Sequence, residues 1–250
     1  MSKSINKKNI LLVASGILVF LLACWRTHLG LHSDEVHSIA VGDMIARGNS
    51  FFKECWFYLQ MSAVFNAPLI KIYSLMHGNL DGIILFLRIA TVIVQMLIAI
   101  LFYCTFYKEF GKTYAMLASF LLFIYVPDFQ SFTYKQEIIW FSVLQIIFLY
   151  RYCKNGKIVD LILTGCVIAL NVLAYPTACM MVLFAFTTIY LLNKQENRNN
   201  TLKHCAVIIL TCAVCGIIYM GYVLHQIGIE GFITYFPKVR SSDLPGIRSG

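Results

Sequence analysis

The ionisable side chains best suited to chemistry lie close together near the N-terminus, between residues 26 and 48. Only 13% of the chain is charged, yet this segment holds His28, His32, Asp34, Glu35, His37, Asp43 and Arg47. A carboxylate in such a group can act as a general base toward a hydroxyl, while nearby cations hold an anionic substrate. Asp34 is therefore the first candidate for a catalytic carboxylate, with Glu35 beside it.

Asp34 and Glu35 are predicted to lie in the first turn of a helix that Ser33 caps and Gly48 ends. Apolar residues recur at three- and four-residue spacing and give this helix one apolar face: Val36, Ile39, Ala40 and Met44. The helix dipole favours acids in any first turn, which is an alternative explanation of the pair. The neighbouring histidines exceed what a cap requires. They favour an amphipathic helix at the outer membrane surface that offers Asp34 to a substrate.

Two further acids, Asp128 and Glu137, flank a polar segment between two apolar runs. Carboxylates from separate segments could form one catalytic pocket if they meet over one membrane face. Asp128 would contact the substrate there, although it follows Pro127 and could equally be a solvated turn residue. Glu137 directly precedes a long apolar run, where an unpaired carboxylate is costly, so it is also a candidate catalytic residue.

Four basic or titratable side chains are candidates for substrate contacts: Arg88, Lys71, Lys135 and His37. Arg88 lies inside an apolar run, where its guanidinium could hold a lipid-linked phosphate by two hydrogen bonds or extend to the membrane surface. Lys71 and Lys135 could contact phosphate or anchor at lipid headgroups. His32 and His37 are five residues apart, which does not suit a helical metal site, so no metal ligands are assigned. No cofactor is predicted with certainty, and the use of a divalent cation stays open.

The composition indicates an integral membrane protein. Hydrophobic residues make up 59% of the chain and the mean hydropathy is +0.74, so too little polar surface exists to enclose a soluble core. The net charge of +8 could suggest nucleic-acid binding, but the basic residues follow the ends of apolar runs, and no nucleic-acid partner is predicted. The nine cysteines lie mostly in or beside apolar runs and are interpreted as packing residues.

The apolar runs predict an all-α, polytopic membrane helix bundle of about seven transmembrane helices. The predicted spans are residues 10–25, 83–106, 114–126, 138–150, 159–174, 177–192 and 205–227. Residues 1–250 are treated as one integral domain of the cell membrane, with residues 1–8 cytoplasmic, 26–82 an external loop with interfacial helices, and 228–250 an external tail. The predicted cytoplasmic segments hold 11 Lys and Arg in 33 residues, against 8 in 90 residues of the main external segments, as the positive-inside rule requires.

Two segments of the predicted external loop are expected to lie on or dip into the outer leaflet. Residues 51–65 are rich in aromatic side chains, which favour the headgroup level of a bilayer. Asn66-Ala67-Pro68 predicts a break in the chain, and the apolar stretch at 69–76 is too short to cross a membrane alone.

The order of these features resembles the GT-C class of membrane glycosyltransferases, which use polyprenyl-phosphate sugars. That class includes the protein mannosyltransferases and the lipid A aminoarabinose transferases. The shared pattern is one span, an external loop with an acidic pair near its start, an amphipathic helix, and a second acid at the head of a later span. In this chain the pattern is carried by Ser33-Asp34-Glu35, Ala46-Arg47-Gly48, Ala67-Pro68-Leu69, Leu87-Arg88 and Glu137.

The resemblance implies transfer of a sugar from an undecaprenyl- or dolichyl-type phosphate to a glycan, lipid or protein acceptor at the external membrane face. It makes Asp34 the catalytic or acceptor-orienting carboxylate, supported by Glu35, and makes Glu137 the second acid. A basic residue such as Arg88 would stabilise the leaving phosphate. Members of the class are usually much longer, so the chain is interpreted as a truncated or split relative, active or inactive.

Other functions stay open on the sequence alone. A non-catalytic membrane protein that binds lipid or assists assembly would not need Asp34 or Glu35. A transporter would place charged residues or broken helices at the membrane midplane, where this sequence has mainly Gln145 and Asn171. A seven-span receptor is disfavoured, because its N-terminus would lie outside the cell.

Overall fold

The computed structural model describes residues 7–28, 30, 33–49, 61–125, 131–193 and 198–235. The regular elements in those ranges are all helices, which confirms the predicted all-α class for that part of the chain. In chain order they are α1 (Lys7–Arg26), α2 (Ser33–Ala46), α3 (Met61–His77), α4 (Ile83–Phe110), α5 (Lys112–Ile124), α6 (Tyr134–Asn155), α7 (Ile158–Ala174), a short 3-10 helix (Pro176–Cys179), α8 (Met180–Asn193) and α9 (Arg198–Tyr235).

Two of the described helices are long and apolar enough to cross a membrane, at Ile83–Phe110 and Asn200–Thr234. The first has 28 residues, which at 1.5 Å per residue makes about 42 Å, more than the roughly 30 Å of a bilayer's hydrocarbon core. Shorter apolar helices lie at Val13–Arg26, Lys112–Ile124, Ile158–Ala174 and Pro176–Leu191. The number of crossings and the side of the N-terminus stay predictions.

Side-chain contacts show that α4 and α6 run in the same direction. Gln136 Nε2, near the start of α6, donates a hydrogen bond at 3.2 Å to Gln95 Oε1, near the middle of α4. Near their ends, Lys154 forms an ion pair with Glu109. Helix α5 lies between α4 and α6 in sequence and runs antiparallel to both. Its C-terminal end lies beside Gln95, which donates hydrogen bonds to carbonyls there.

The bundle therefore has two distinct ends. We call the end that contains Glu35, Arg88 and Glu137 the carboxylate end, and the end that contains Lys108, Arg151 and Lys154 the basic end. At the basic end, Arg151 pairs with Asp160 at 3.2 Å and joins α6 to α7, while Tyr152 bonds His204 at 2.6 Å and joins α6 to α9. At the carboxylate end, α1 and α5 finish side by side.

The predicted break at Asn66-Ala67-Pro68 is wrong, because α3 continues as one helix through Pro68. A proline inside a helix removes one backbone hydrogen bond and typically costs about 3 kcal/mol. Here tertiary packing holds the helix together. Ala63, Ala67 and Ile70 are buried, and the Asn66 side chain bonds to residues of two other segments.

The last helix is interrupted at the residue where the sequence placed the start of an external tail. Gly228 has φ 69° and ψ 172°, which are not helical angles, and a further helical segment continues to Tyr235. Residues 236–250 of the predicted tail lie outside the described residues, as do residues 50–60 of the predicted aromatic segment.

Glycine allows two close helix crossings. A Cβ atom added at Gly165 in α7 would come 2.8 Å from Thr211 Cβ and 3.1 Å from the Ile208 carbonyl oxygen of α9. A Cβ added at Gly42 in α2 would come 3.0 Å from Asn66 Cβ of α3. Both distances are below normal van der Waals contact, so these crossings require the absence of a side chain.

We expect Gly165→Ala to lower the free energy of unfolding by about 1–3 kcal/mol, the usual cost of an extra methyl group in a packed interior. The matched change Gly221→Ala on α9 should be neutral or slightly stabilising, since nothing among the described residues lies within 4 Å of the new Cβ and glycine is the poorer helix former. Thermal unfolding in detergent measures both variants. Equal melting temperatures for the two variants would contradict the close crossing of α7 and α9.

Candidate active site

A buried ion pair joins Glu35 of α2 to Arg88 of α4. Arg88 Nε donates to Glu35 Oε1 at 2.8 Å, and Nη2 donates to Oε2 at 2.8 Å, so two parallel hydrogen bonds hold the carboxylate. Glu35 is completely buried and Arg88 is 3% exposed. Bidentate arginine–carboxylate pairs are among the strongest polar contacts in proteins, and a low local dielectric strengthens them further.

The same guanidinium holds the chain between α1 and α2. Arg88 Nη1 donates to the Thr27 carbonyl at 2.7 Å, and Nη2 donates to the Gly30 carbonyl at 3.0 Å. Arg88 thus ties together the end of α1, the start of α2 and the start of α4. The sequence suggested this arginine as a phosphate ligand; in the structure its guanidinium is directed to Glu35 and to these carbonyls.

Asp34 is half-buried beside this pair, in the first turn of α2. The buried residues of α2 are mostly polar or small: Glu35, Ser38, Val41 and Gly42. Val36 is 48% exposed, so part of the predicted apolar face points away from the protein. Side chains of neighbouring residues in an α-helix point about 100° apart. Because the ion pair with Arg88 fixes the orientation of Glu35, Asp34 lies at the edge of the packed face.

A second polar contact connects α2 to the segment that leads into α6. Ser38 Oγ donates to the Phe132 carbonyl at 3.1 Å. Asn66 Nδ2 of α3 donates to both Ser38 Oγ, at 2.8 Å, and the Phe132 carbonyl, at 3.1 Å. Ser38 lies one helical turn from Asp34, and Phe132 lies five residues before Glu137. The first acidic pair and the later acid are thus brought to the same end of the bundle.

Glu137 lies in the first turn of α6 and is 1% exposed. Neither of its carboxylate oxygens has a hydrogen-bond partner among the described residues. Other polar atoms in the same stretch are also buried without a partner there: Ser131 Oγ, Thr133 Oγ1, Gln136 Oε1 and Trp140 Nε1. Buried polar groups in proteins are nearly always paired, so such a concentration is typical of a site that binds a polar ligand.

The remaining predicted substrate contacts are dispersed. Lys71 Nζ donates to the Ala46 carbonyl at the end of α2, at 3.2 Å, and borders an open cleft of about 490 Å³ together with the Asp43–Arg47 ion pair. Lys135 is half-buried two residues before Glu137, and His37 is exposed on α2. Asp128 and His32 lie outside the described residues.

The sequence interpretation missed the uncharged polar residues that hold the site together. Ser38, Gln95 and Gln136 were not singled out, and Asn66 was considered only as part of a chain break. A usable signal existed for Gln95, because a glutamine inside a long apolar run is costly in a membrane unless it is paired. Gln145 and Asn171, noted as deep polar residues, bond to the Met181 carbonyl and Ser142 Oγ and so join helices.

Within the described ranges, no three His, Cys, Asp or Glu side chains converge in a way that could hold a metal ion. The family model for dolichyl-phosphate-mannose-protein mannosyltransferase matches residues 64–222, more than half of the chain. The match includes Arg88 and Glu137 and begins after Asp34 and Glu35. No curated protein and no solved structure gave a significant match.

The two buried glutamates should respond differently to the same substitution. We expect Glu35→Gln to lower the free energy of unfolding by about 3–5 kcal/mol, because it leaves Arg88 as a buried cation without its counter-ion. Glu137→Gln should leave stability within about 1 kcal/mol of the unsubstituted protein or raise it, since an amide has no charge to desolvate. Thermal unfolding in detergent distinguishes them.

Asp43→Asn is the matched control for loss of an ion pair at a solvent-accessible site, since its partner Arg47 is largely exposed. This change should alter stability little, because exposed ion pairs contribute little. Equal destabilisation by Glu35→Gln and Asp43→Asn would contradict the role given to the buried pair.

Proposed function

The chain belongs to the dolichyl-phosphate-mannose-protein mannosyltransferase family, and on that premise we propose that it transfers a sugar from a polyprenyl-phosphate donor to an acceptor hydroxyl at one face of a membrane. The family is one of glycosyltransferases. The reacting face is proposed to be the carboxylate end of the bundle, exposed on the external side. The basic end then lies in the cytoplasm, in keeping with the excess of Lys and Arg in the segments assigned there.

Asp34 is the proposed general base. Its carboxylate accepts the proton of the acceptor hydroxyl while the hydroxyl oxygen forms a bond to the anomeric carbon of the sugar. The bond between that carbon and the phosphate oxygen breaks, and its electron pair leaves with the polyprenyl phosphate. A half-buried carboxylate suits this step, because a substrate can reach it and the surrounding protein limits its hydration.

Glu35 and Arg88 act through Asp34 as positioning residues. Their bidentate pair, together with the bonds from Arg88 to the Thr27 and Gly30 carbonyls, fixes the first turn of α2 against α4. A general base must lie within hydrogen-bond reach of the proton it accepts, so a displacement of the turn by about 1 Å is expected to be costly. Because the guanidinium of Arg88 is directed to Glu35 and to these carbonyls, we assign the phosphate to another cation of the carboxylate end. Lys135 is the one nearest in sequence to Glu137.

Glu137 and the buried polar atoms around it form the proposed sugar or acceptor subsite. Sugar hydroxyls both donate and accept hydrogen bonds, so they can satisfy a carboxylate, hydroxyl groups and the Trp140 indole N–H together. The observation that carries the proposal is the bond from Ser38 to the Phe132 carbonyl, which brings the acid-bearing start of α2 to the head of α6.

Asp34→Asn should reduce sugar transfer about 10²–10⁴-fold, because asparagine keeps the shape of the side chain but cannot accept the proton. The matched change Asp43→Asn, on the same helix but in an exposed ion pair, should leave transfer within about twofold. The assay follows radiolabel from polyprenyl-phosphate mannose into glycan, lipid and protein fractions of membranes that contain the protein. Full transfer by Asp34→Asn at equal expression would refute the mechanism.

Lipids that copurify with the protein test the function separately from the mechanism. Mass spectrometry should detect a polyprenyl-phosphate sugar, or the polyprenyl phosphate that remains after transfer. Bulk phospholipid alone, with no transfer in the assay above, would favour the non-catalytic alternative of a lipid-binding or assembly protein.

A further inference from the structure

We propose that the acceptor is a saccharide, and that the stacked rings of Tyr134 and Tyr175 bind one of its sugar units. The inference rests on the proposed function and goes beyond the family match, because the name of that family specifies a protein acceptor. Two features at the head of α6 support it. One is the hydrogen-bonding character of the buried polar atoms around Glu137, and the other is the aromatic surface beside them.

The buried polar atoms around Glu137 call for a ligand that donates several hydrogen bonds. The two oxygens of an ionised Glu137 only accept, and Gln136 has its Oε1 without a described partner because its Nε2 already donates a bond. Ser131 and Thr133 add hydroxyl groups, which both donate and accept. Among these atoms only Trp140 Nε1 is exclusively a donor. The set therefore contains more acceptors than donors.

A saccharide matches such a set better than a peptide does. Each sugar ring carries several hydroxyl groups, and each hydroxyl can donate one hydrogen bond. A peptide backbone supplies a single N–H donor per residue, together with a carbonyl that itself needs a donor. A Ser or Thr acceptor adds only the hydroxyl that reacts. The excess of acceptor atoms thus favours an acceptor with many hydroxyl groups, one of which gives its proton to Asp34 and bonds to the anomeric carbon.

Two tyrosines form an aromatic surface close to Glu137. Tyr134 is the first residue of α6 and Tyr175 directly follows α7, and their rings stack with centroids 5.6 Å apart and planes 15° apart. Residues three apart on a helix are neighbours, so Tyr134 lies next to Glu137 along α6. Both tyrosines are half-buried, whereas Glu137 is 1% exposed. The aromatic surface therefore lies nearer to the outside than the polar atoms do.

An aromatic surface suits a sugar ring, because the C–H groups of the ring form an apolar face. These C–H groups are attracted to the negative face of an aromatic ring, while the hydroxyl groups bond to polar side chains. Ligand sites commonly combine aromatic walls with a few polar groups in this way. The negative face of an aromatic ring disfavours an anion. The tyrosine pair therefore suits a sugar unit of the acceptor and not the phosphate of the donor.

The bond formed in the product tests the class of acceptor. Membranes that contain the full chain receive polyprenyl-phosphate mannose labelled in the sugar, and membranes without the chain give the background. Mild alkali releases a sugar from Ser or Thr by β-elimination but does not break a bond between two sugars. We expect alkali-stable label that partial acid hydrolysis releases still joined to a second sugar.

Other products would overturn the inference without touching the proposed function. Alkali-labile label on protein would mean a Ser or Thr acceptor, and alkali-stable label with no second sugar would mean a lipid hydroxyl. Absence of any transfer above background would refute the proposed function and the inference together. Full transfer to a saccharide by Asp34→Asn would refute the catalytic assignment and leave the class of acceptor in place.

Substitutions of Tyr175 test the aromatic surface. Tyr175→Leu keeps an apolar side chain but removes the ring, and it should lower transfer about three- to tenfold, whereas Tyr175→Phe should stay within about twofold. Tyr134→Leu should act like Tyr175→Leu and provides a second variant. The matched change Tyr190→Leu on α8, at a residue that is 57% exposed, should leave transfer within about twofold. Equal losses in Tyr175→Leu and Tyr190→Leu, or in Tyr175→Leu and Tyr175→Phe, would overturn the role of the rings.

The KM for the donor separates acceptor binding from donor binding. Tyr175→Leu should leave the KM for polyprenyl-phosphate mannose within about twofold of the unsubstituted value, while transfer at saturating donor falls. A merely structural role of Tyr175 would change both quantities together with the melting temperature. A donor KM that rises by as much as transfer falls would assign the tyrosines to the donor and would overturn the inference.

Discussion

Glu35 of α2 and Arg88 of α4 form a buried bidentate ion pair, and the geometry of the carboxylate end depends on it. Removing two charges from water is costly, and the cost is recovered only when the remaining donors and acceptors are also satisfied. Arg88 meets this condition in part by bonding the Thr27 and Gly30 carbonyls, which fixes the connection between α1 and α2. A single guanidinium therefore orients three segments, and the position of Asp34 follows from that orientation.

Hydrogen bonds between polar side chains and close contacts at glycine determine how the helices align with one another. Apolar side chains alone specify this alignment poorly within a lipid bilayer. Lipid chains solvate leucine and isoleucine about as well as a neighbouring helix does, so helix association in membranes relies on close packing and on hydrogen bonds. The bonds Gln95–Gln136, Gln145–Met181 and Asn171–Ser142 and the crossing at Gly165 serve this purpose.

Local signals predicted both ends of α2 well, because a helix boundary depends on neighbours in sequence. Ser33 begins α2, and Gly48, with φ 89°, follows its end. The signal at Pro68 failed because buried contacts of α3 outweigh the missing hydrogen bond. The packed face of α2 was only partly evident: of the residues with the apolar spacing, Ile39 packs against the cluster that includes Ile70 and Tyr73 of α3, whereas Val36 is exposed. The contacts of this face favour small and polar side chains, which a hydrophobic pattern does not detect.

The sequence by itself determined that the described chain is helical and rich in apolar residues, which residues are candidate acids, and which family it resembles; the match over residues 64–222 confirms that resemblance. These properties follow from composition, local spacing and short motifs. Only the tertiary structure decided the partners: Arg88 with Glu35, Ser38 with the Phe132 carbonyl, and Glu137 with no described partner at all. Glu35 and Arg88 are 53 residues apart, and their contact requires α1, α2 and α4 to pack together, which no local pattern specifies.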